Sequence, residues 1–160
     1  EIWIRNGIRV NPKNKHRKRE GWIFKPSLAL CLMAPSTVML RRELLERHGM
    51  FDEALPVCED YDLWLRLTAY YPVSLLKEKL MTRRGGHSDQ LSKKIWGMDR
   101  FRVQSLQKIL SQENLRSGDR TATIQMLKKK CEILIKGFRN RGNMKEIRFY
   151  QNIAQKFSDI

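Results

Sequence analysis

Two prolines, Pro56 and Pro72, bracket the run VCEDYDLWLRLTAYY and leave it little freedom to be anything but a helix that buries one side. Within it, Trp64, Leu67 and Tyr71 recur at i, i+3 and i+7, with Leu63 and Tyr70 beside them, so a broad apolar stripe must face a core. The spacing predicts a helix over Cys58 to Tyr71. Its first turn holds three carboxylates, Glu59, Asp60 and Asp62. Acids are favoured at a helix start by the macrodipole and the unpaired N–H groups, by about 0.3 to 1 kcal/mol each, so the cluster needs no function to explain it. It equally suits a general base, provided one carboxylate projects into a cleft.

The cluster stands out because the rest of the chain is basic: 32 Lys and Arg against 17 Asp and Glu, a formal net charge of +15. Such an excess implies an anionic partner, whether nucleic acid, an anionic membrane surface or a phosphorylated small molecule. With 160 residues, 41% hydrophobic and 31% charged, the chain describes a soluble globular protein with one core or one core plus an appendage. The longest apolar run, Leu28 to Ala34, is too short to cross a bilayer. Cys31, Cys58 and Cys131 are odd in number and widely spaced, which excludes a disulfide framework or zinc knuckle and reads as reduced thiols in a cytosolic protein.

Along the chain, Glu1 to Arg5 and Ile8 to Val10 read as strands around an Asn6-Gly7 turn. A basic loop from Asn11 to Glu20 follows, then a short helix starting at Pro26-Ser27, a buried strand over Ser36 to Leu40, and a short helix over Arg41 to Arg47 closed by Gly49. After Pro72, Val73 to Arg83 reads as a strand with a basic end. From about Ser92 the pattern is helical only, over about Ile95 to Leu115, Asp119 to Gly137 and Asn143 to Phe157. Residues 1–91 carry 16 basic and 11 acidic side chains, net +5, and residues 92–160 carry 16 and 6, net +10. This gives two expected units, a mixed α/β part over 1–91 and a basic α-helical extension over 92–160.

The segment STVMLRRELLERHGMFDEALPVCEDYDLWLRL, Ser36 to Leu67, resembles the acceptor half of family 2 inverting glycosyltransferases of the GT-A fold. Gly49, Phe51, Asp52 and Glu53 match that family's Gly-x-Phe-Asp-Glu turn, and Glu59, Asp60, Asp62, Leu63, Trp64 and Arg66 match its Glu-Asp-x-Asp-x-x-x-Arg helix. The resemblance implies a partial GT-A-like, Rossmann-like mixed sheet with helices over residues 1–91. It implies that Asp60 is the catalytic base, with Glu59, Asp62, Trp64 and Arg66 shaping the acceptor pocket. For Arg66 an ordinary ion pair is an equal alternative.

The loop RRGGHSDQLS, Arg83 to Ser92, carries the second set of expectations. Glycines let a loop approach a diphosphate or metal closely. By the same resemblance His87 is a ligand of a divalent metal, Mg or Mn, and Arg83, Arg84 and Gln90 contact diphosphate oxygens. One histidine cannot hold such a metal, and no Asp-x-Asp motif precedes Ser36, so the metal and most donor contacts are expected only with a nucleotide-binding half outside this sequence. The implied partners are a nucleotide-sugar donor and a glycan or lipid-linked acceptor, at a cytoplasmic site.

Two further features keep other readings open. The Lys13 to Arg19 loop has the cations of a nucleic-acid patch but no interleaved aromatic residues, which disfavours nucleic acid. In the tail, Ile124, Leu127, Cys131, Leu134, Ile135 and Phe138 form one apolar face opposite lysines. That face packs on the domain or attaches peripherally to an anionic membrane. A non-enzymatic basic binding or interaction module is the alternative to the enzyme.

Overall fold

The computed structural model describes residues 1–86 and 95–157. Its sheet is small. Strand β1 (Ile2–Arg5) pairs antiparallel with β2 (Ile8–Val10) and parallel with β3 (Thr82–Gly85), in the order β2-β1-β3. The hairpin closes through Asn6 at φ 49° and Gly7 at φ 79°. Two successive positive φ angles suit the right-handed twist of paired strands, and Asn followed by Gly supplies them at least steric cost. The parallel ladder sets Trp3 beside Arg83 and Ile4 beside Arg84.

Among the described residues six α-helices follow one another: α1 (Phe24–Ser27), α2 (Arg42–His48), α3 (Glu59–Thr68), α4 (Asp99–Leu110), α5 (Ser117–Arg139) and α6 (Met144–Gln155). The fold is mixed α/β, as expected, but of two further expected strands one is missing and the other is reduced to its basic end. At Ser36 to Leu40, Pro35 opens a 3-10 turn over Pro35–Thr37 instead, in which the Thr37 amide and hydroxyl both donate to the Ala34 carbonyl. Local bonds of this kind compete with a ladder. Val73 makes only an isolated bridge to Gly21, and the strand proper begins at Thr82. Lys77, Glu78, Lys79 and the apolar Leu76 and Leu80 lie exposed between. Alternation alone does not make a strand without a neighbour to pair with.

The helical tail starts later than its periodicity suggests. Gly97, at φ 70°, turns the chain before Asp99, so α4 begins there rather than at Ile95. At α6 the Asn143 side chain accepts from the Glu146 amide at 3.2 Å, a cap that fixes the helix start.

Helix α3 is the centre of the molecule. Tyr61, Leu65 and Ala69 join a large cluster with Val103 and Leu106 of α4, Leu127 and Cys131 of α5, and Ile147 and Tyr150 of α6. Leu63, Trp64 and Leu67 form a second cluster on its other side, against Val38, Leu40, Leu44 and Leu45. The single stripe read from the sequence is therefore nearly a full circumference. Tyr61 donates to the Leu28 carbonyl at 2.7 Å and Trp64 to that of Met33 at 3.0 Å, so both polar tips are satisfied inside. The large cluster draws on residues from both sides of position 92, and it positions the tail helices against the start of α3.

Candidate functional site

Cys58, the residue before α3, sits at φ 65° in the left-handed region, which costs a side-chain-bearing residue energy. Its thiol is buried and reaches the Met98 carbonyl at 3.8 Å. This turn presents the first residues of α3 to a cleft of about 530 Å³ whose lining includes Trp3, Lys15, Cys31, Asp60, Arg83 and Arg102. A recess of about 120 Å³, bounded by Lys18, Met33 and Pro35, also reaches Asp60 and Arg83. A further hollow of about 250 Å³ shares Met98, Asp99, Arg102 and Ile133 with the large cleft and runs on to Trp96 and Arg141, where Arg141 stacks on the Trp96 ring at 4.0 Å.

Asp60 is held at both oxygens. Oδ1 accepts the Tyr61 amide at 2.7 Å, and Oδ2 accepts the Cys31 thiol at 3.2 Å. Burial, and then the Asp60 charge beside it, push the Cys31 thiol well above its ordinary pKa, so it remains a donor. Burial raises Cys58 to about 11 and the Tyr61 phenol higher still. None of these groups is an activated nucleophile, since a reactive thiol needs a lowered pKa.

Around Asp60 the charge is positive. Arg83 stacks on the Trp3 ring at 5.1 Å. Arg102 Nη1 and Lys130 Nζ both donate to Asp99 Oδ1 at 2.9 Å, and Lys130 also donates to the Ala29 carbonyl at 3.1 Å. Burial pushes the Asp99 carboxyl up, but the Arg102 hydrogen bond and the Lys130 charge outweigh it and leave the pKa below the ordinary range. For Lys130, only 4% exposed, burial outweighs Asp99 and the pKa falls. His16 is likewise lowered, by burial and then by Lys15, Arg83, Lys18 and Lys13.

The residues singled out from the sequence divide into two groups. Asp60 and Arg83 meet at the cleft. Glu59 lies half-buried in the same helical turn and makes no hydrogen bond or ion pair with the described residues. Arg84, next along β3, is exposed and outside the cleft lining, as strand alternation requires. Asp62, Trp64 and Arg66 face away from the cleft. Trp64 is 3% exposed, in the second core cluster, with Phe51 edge-on at 6.4 Å. Asp62 Oδ2 accepts Arg66 Nε at 3.0 Å, and its Oδ1 lies 2.8 Å from Lys108 Nζ. Arg66 then reaches the end of α2, donating to the carbonyls of His48, Gly49 at 3.1 Å and Met50 at 2.6 Å. Lys108 also binds Asp52 at 2.7 Å, so the Gly-Met-Phe-Asp turn is clamped onto α3 and α4. His87 and Gln90 lie outside the described residues.

Sequence reasoning did not single out Cys31, Arg102, Lys129 or Lys130 as site residues. The only advance signal was the net +10 on residues 92–160, which says nothing about which face of which helix meets Asp60. Among the described residues no group of three or more His, Cys, Asp or Glu could hold a metal ion, and Asp99 is already taken by two cations. The described residues therefore do not by themselves fit Mg or Mn. Also among them, no helix is long and apolar enough to cross a membrane.

Comparison with known proteins gives partial matches. The similarity is to glycosyltransferases. An "uncharacterized glycosyltransferase" of Rickettsia felis and another of Rickettsia conorii are each 43% identical to this chain over 47 residues, which is 29% of the chain and 8% of either relative. The chain thus spans less than a tenth of the length of the curated relatives it matches. No family model matches the chain, and no solved structure does.

Proposed function

We propose that this chain forms the acceptor side of an inverting, family 2 glycosyltransferase of the GT-A type, with Asp60 as the general base. The observation that carries the reading is the position of the Asp60 carboxylate on the wall of the 530 Å³ cleft, at the start of a helix buried on both sides. A base must be held rigidly to act in a single displacement, and α3 is anchored in both core clusters.

In this reaction the acceptor oxygen attacks the anomeric carbon of a nucleotide-diphosphate sugar. The bond from that carbon to the diphosphate breaks, its electron pair leaves on the phosphate oxygen, and the acceptor proton passes to Asp60. Each Asp60 oxygen keeps a lone pair beyond its present bond, so a hydroxyl proton has somewhere to go. Glu59 supplies a second carboxylate at the same turn. Arg83, and with it Arg84 and Gln90, belongs to the donor diphosphate. A divalent metal, with His87 among its ligands, would neutralise the leaving group if a donor-binding half brings the remaining ligands.

The test is Asp60→Asn in an active enzyme containing this chain, scored as nucleoside diphosphate released from a panel of nucleotide sugars. Turnover should fall by about 10² to 10⁴ while donor affinity holds. Undiminished turnover removes Asp60 from the role.

A further inference from the structure

The space directly against a general base belongs to the molecule that gives up the proton. The cleft around Asp60 is lined by five cations, of which Arg83 is given to the donor and Lys15, Arg102, Lys129 and Lys130 remain, against two carboxylates, Asp60 and Asp99. Asp99 is consumed internally by Arg102 and Lys130. What remains facing the cleft is Asp60 and a surplus of positive charge supplied largely by α4 and α5. Arg102 is also under-used. Its guanidinium can donate five hydrogen bonds, yet Nη1 bonds Asp99 while Nε is buried with no acceptor. The Arg102 side chain is 21% exposed, so an entering ligand can bring acceptor oxygens to the part of the guanidinium that Asp99 does not occupy.

We propose that the acceptor is anionic and bears a phosphate group, which Arg102 and Lys129, helped by Lys15, hold in the large cleft so that a neighbouring hydroxyl reaches Asp60. The tail helices are then part of the acceptor site rather than an appendage to it. The assignment of the ligand as acceptor rests on the glycosyl-transfer reading, whereas phosphate binding does not require turnover. A phosphate suits these residues because Arg offers paired donors to its oxygens and Lys a point charge.

The test is calorimetric titration of the 160-residue chain with inorganic diphosphate, a hexose 1-phosphate, the free hexose and a nucleoside diphosphate. Both simple phosphates should bind and the neutral hexose should not. Lys129→Gln and Lys15→Gln should each weaken binding about three- to tenfold and Arg102→Gln about tenfold or more, while Lys77→Gln, exposed and outside the cleft, should leave it unchanged. If Arg102→Gln fails to fold, the two lysine variants decide. No binding of either simple phosphate, or equal losses in Lys77→Gln, overturns the proposal. So does a nucleoside diphosphate that binds through Lys129 more than tenfold tighter than diphosphate, because the cleft would then be nucleotide space. Phosphate binding by a protein whose Asp60→Asn enzyme turns over normally would sink the base assignment and leave the anion site standing.

Discussion

Asp60 and Asp62 stand two residues apart on one helix and live in opposite circumstances. Asp60 touches a thiol and a backbone amide at the edge of an open cleft. Asp62, with its side chain 1% exposed, is locked between Arg66 and Lys108 on the far side. A 3.6-residue period turns successive i, i+2 positions about 200° apart, so an acidic first turn that looks uniform in sequence is split by geometry into a carboxylate free to do chemistry and one that holds a turn in place.

The sharpest way to break that contrast is to remove each carboxylate in turn and measure stability by urea unfolding. Asp62→Ala leaves the half-buried Arg66 without its carboxylate but with its carbonyl acceptors, so the loss should lie near the low end, about 3 kcal/mol, of what breaking a buried pair costs. Most of this should come from Arg66, 13% exposed at its side chain, because Lys108 is 42% exposed and water can replace its partner. Asp60→Asn should change stability by no more than about 1 kcal/mol. Equal losses for the two would mean that Asp60 is also a structural acid.

A smaller effect tests the clamp itself. Arg66→Met removes the donors to His48, Gly49 and Met50, whose turn is otherwise exposed, and should cost about 1.5 to 3 kcal/mol. Because Asp62 and Arg66 share one network, the double variant Asp62→Ala, Arg66→Met should lose less than the sum of the singles. Simple additivity would show that the two residues do not act together.

How much of this could be read in advance follows the same division. The helix itself was legible, because Pro56, Pro72 and the acids mark its ends locally, and so was the Asn6-Gly7 hairpin. The strand expected at Ser36 was not, and the one expected over Val73 to Arg83 formed only at its end, because a strand depends on a neighbour that no local pattern names. Trp64 and Arg66 looked like pocket residues in the linear motif, yet their place on α3 turns them toward α2 and the second core cluster. Arg102 and Lys130 were invisible for the opposite reason. They meet the start of α3 only through helix packing across dozens of intervening residues, and a lysine on a basic amphipathic helix gives no sign that it will be buried.

The smallest effect separates the two regions by pH, through two lysines that ion pairing treats in opposite ways. For Lys108, beside Asp52 and Asp62, burial disfavours the charge, but the hydrogen bonds to both acids win and the pKa rises above 10.5. For Lys130 burial wins over Asp99 and the pKa falls below 10.5. A raised pKa means that the folded state holds its proton longer, so the Lys108 contribution is complete below 10.5 and is lost as pH climbs through the folded value. A lowered pKa means that the unfolded chain binds more protons between the folded value and 10.5, so stability associated with Lys130 increases as pH rises through that window. Unfolding free energies of Lys108→Met and Lys130→Met, each subtracted from the parent, should therefore slope in opposite directions on the alkaline side. Parallel slopes would mean that Lys130 is no more desolvated than Lys108, and that the cleft wall and the clamp are electrostatically alike.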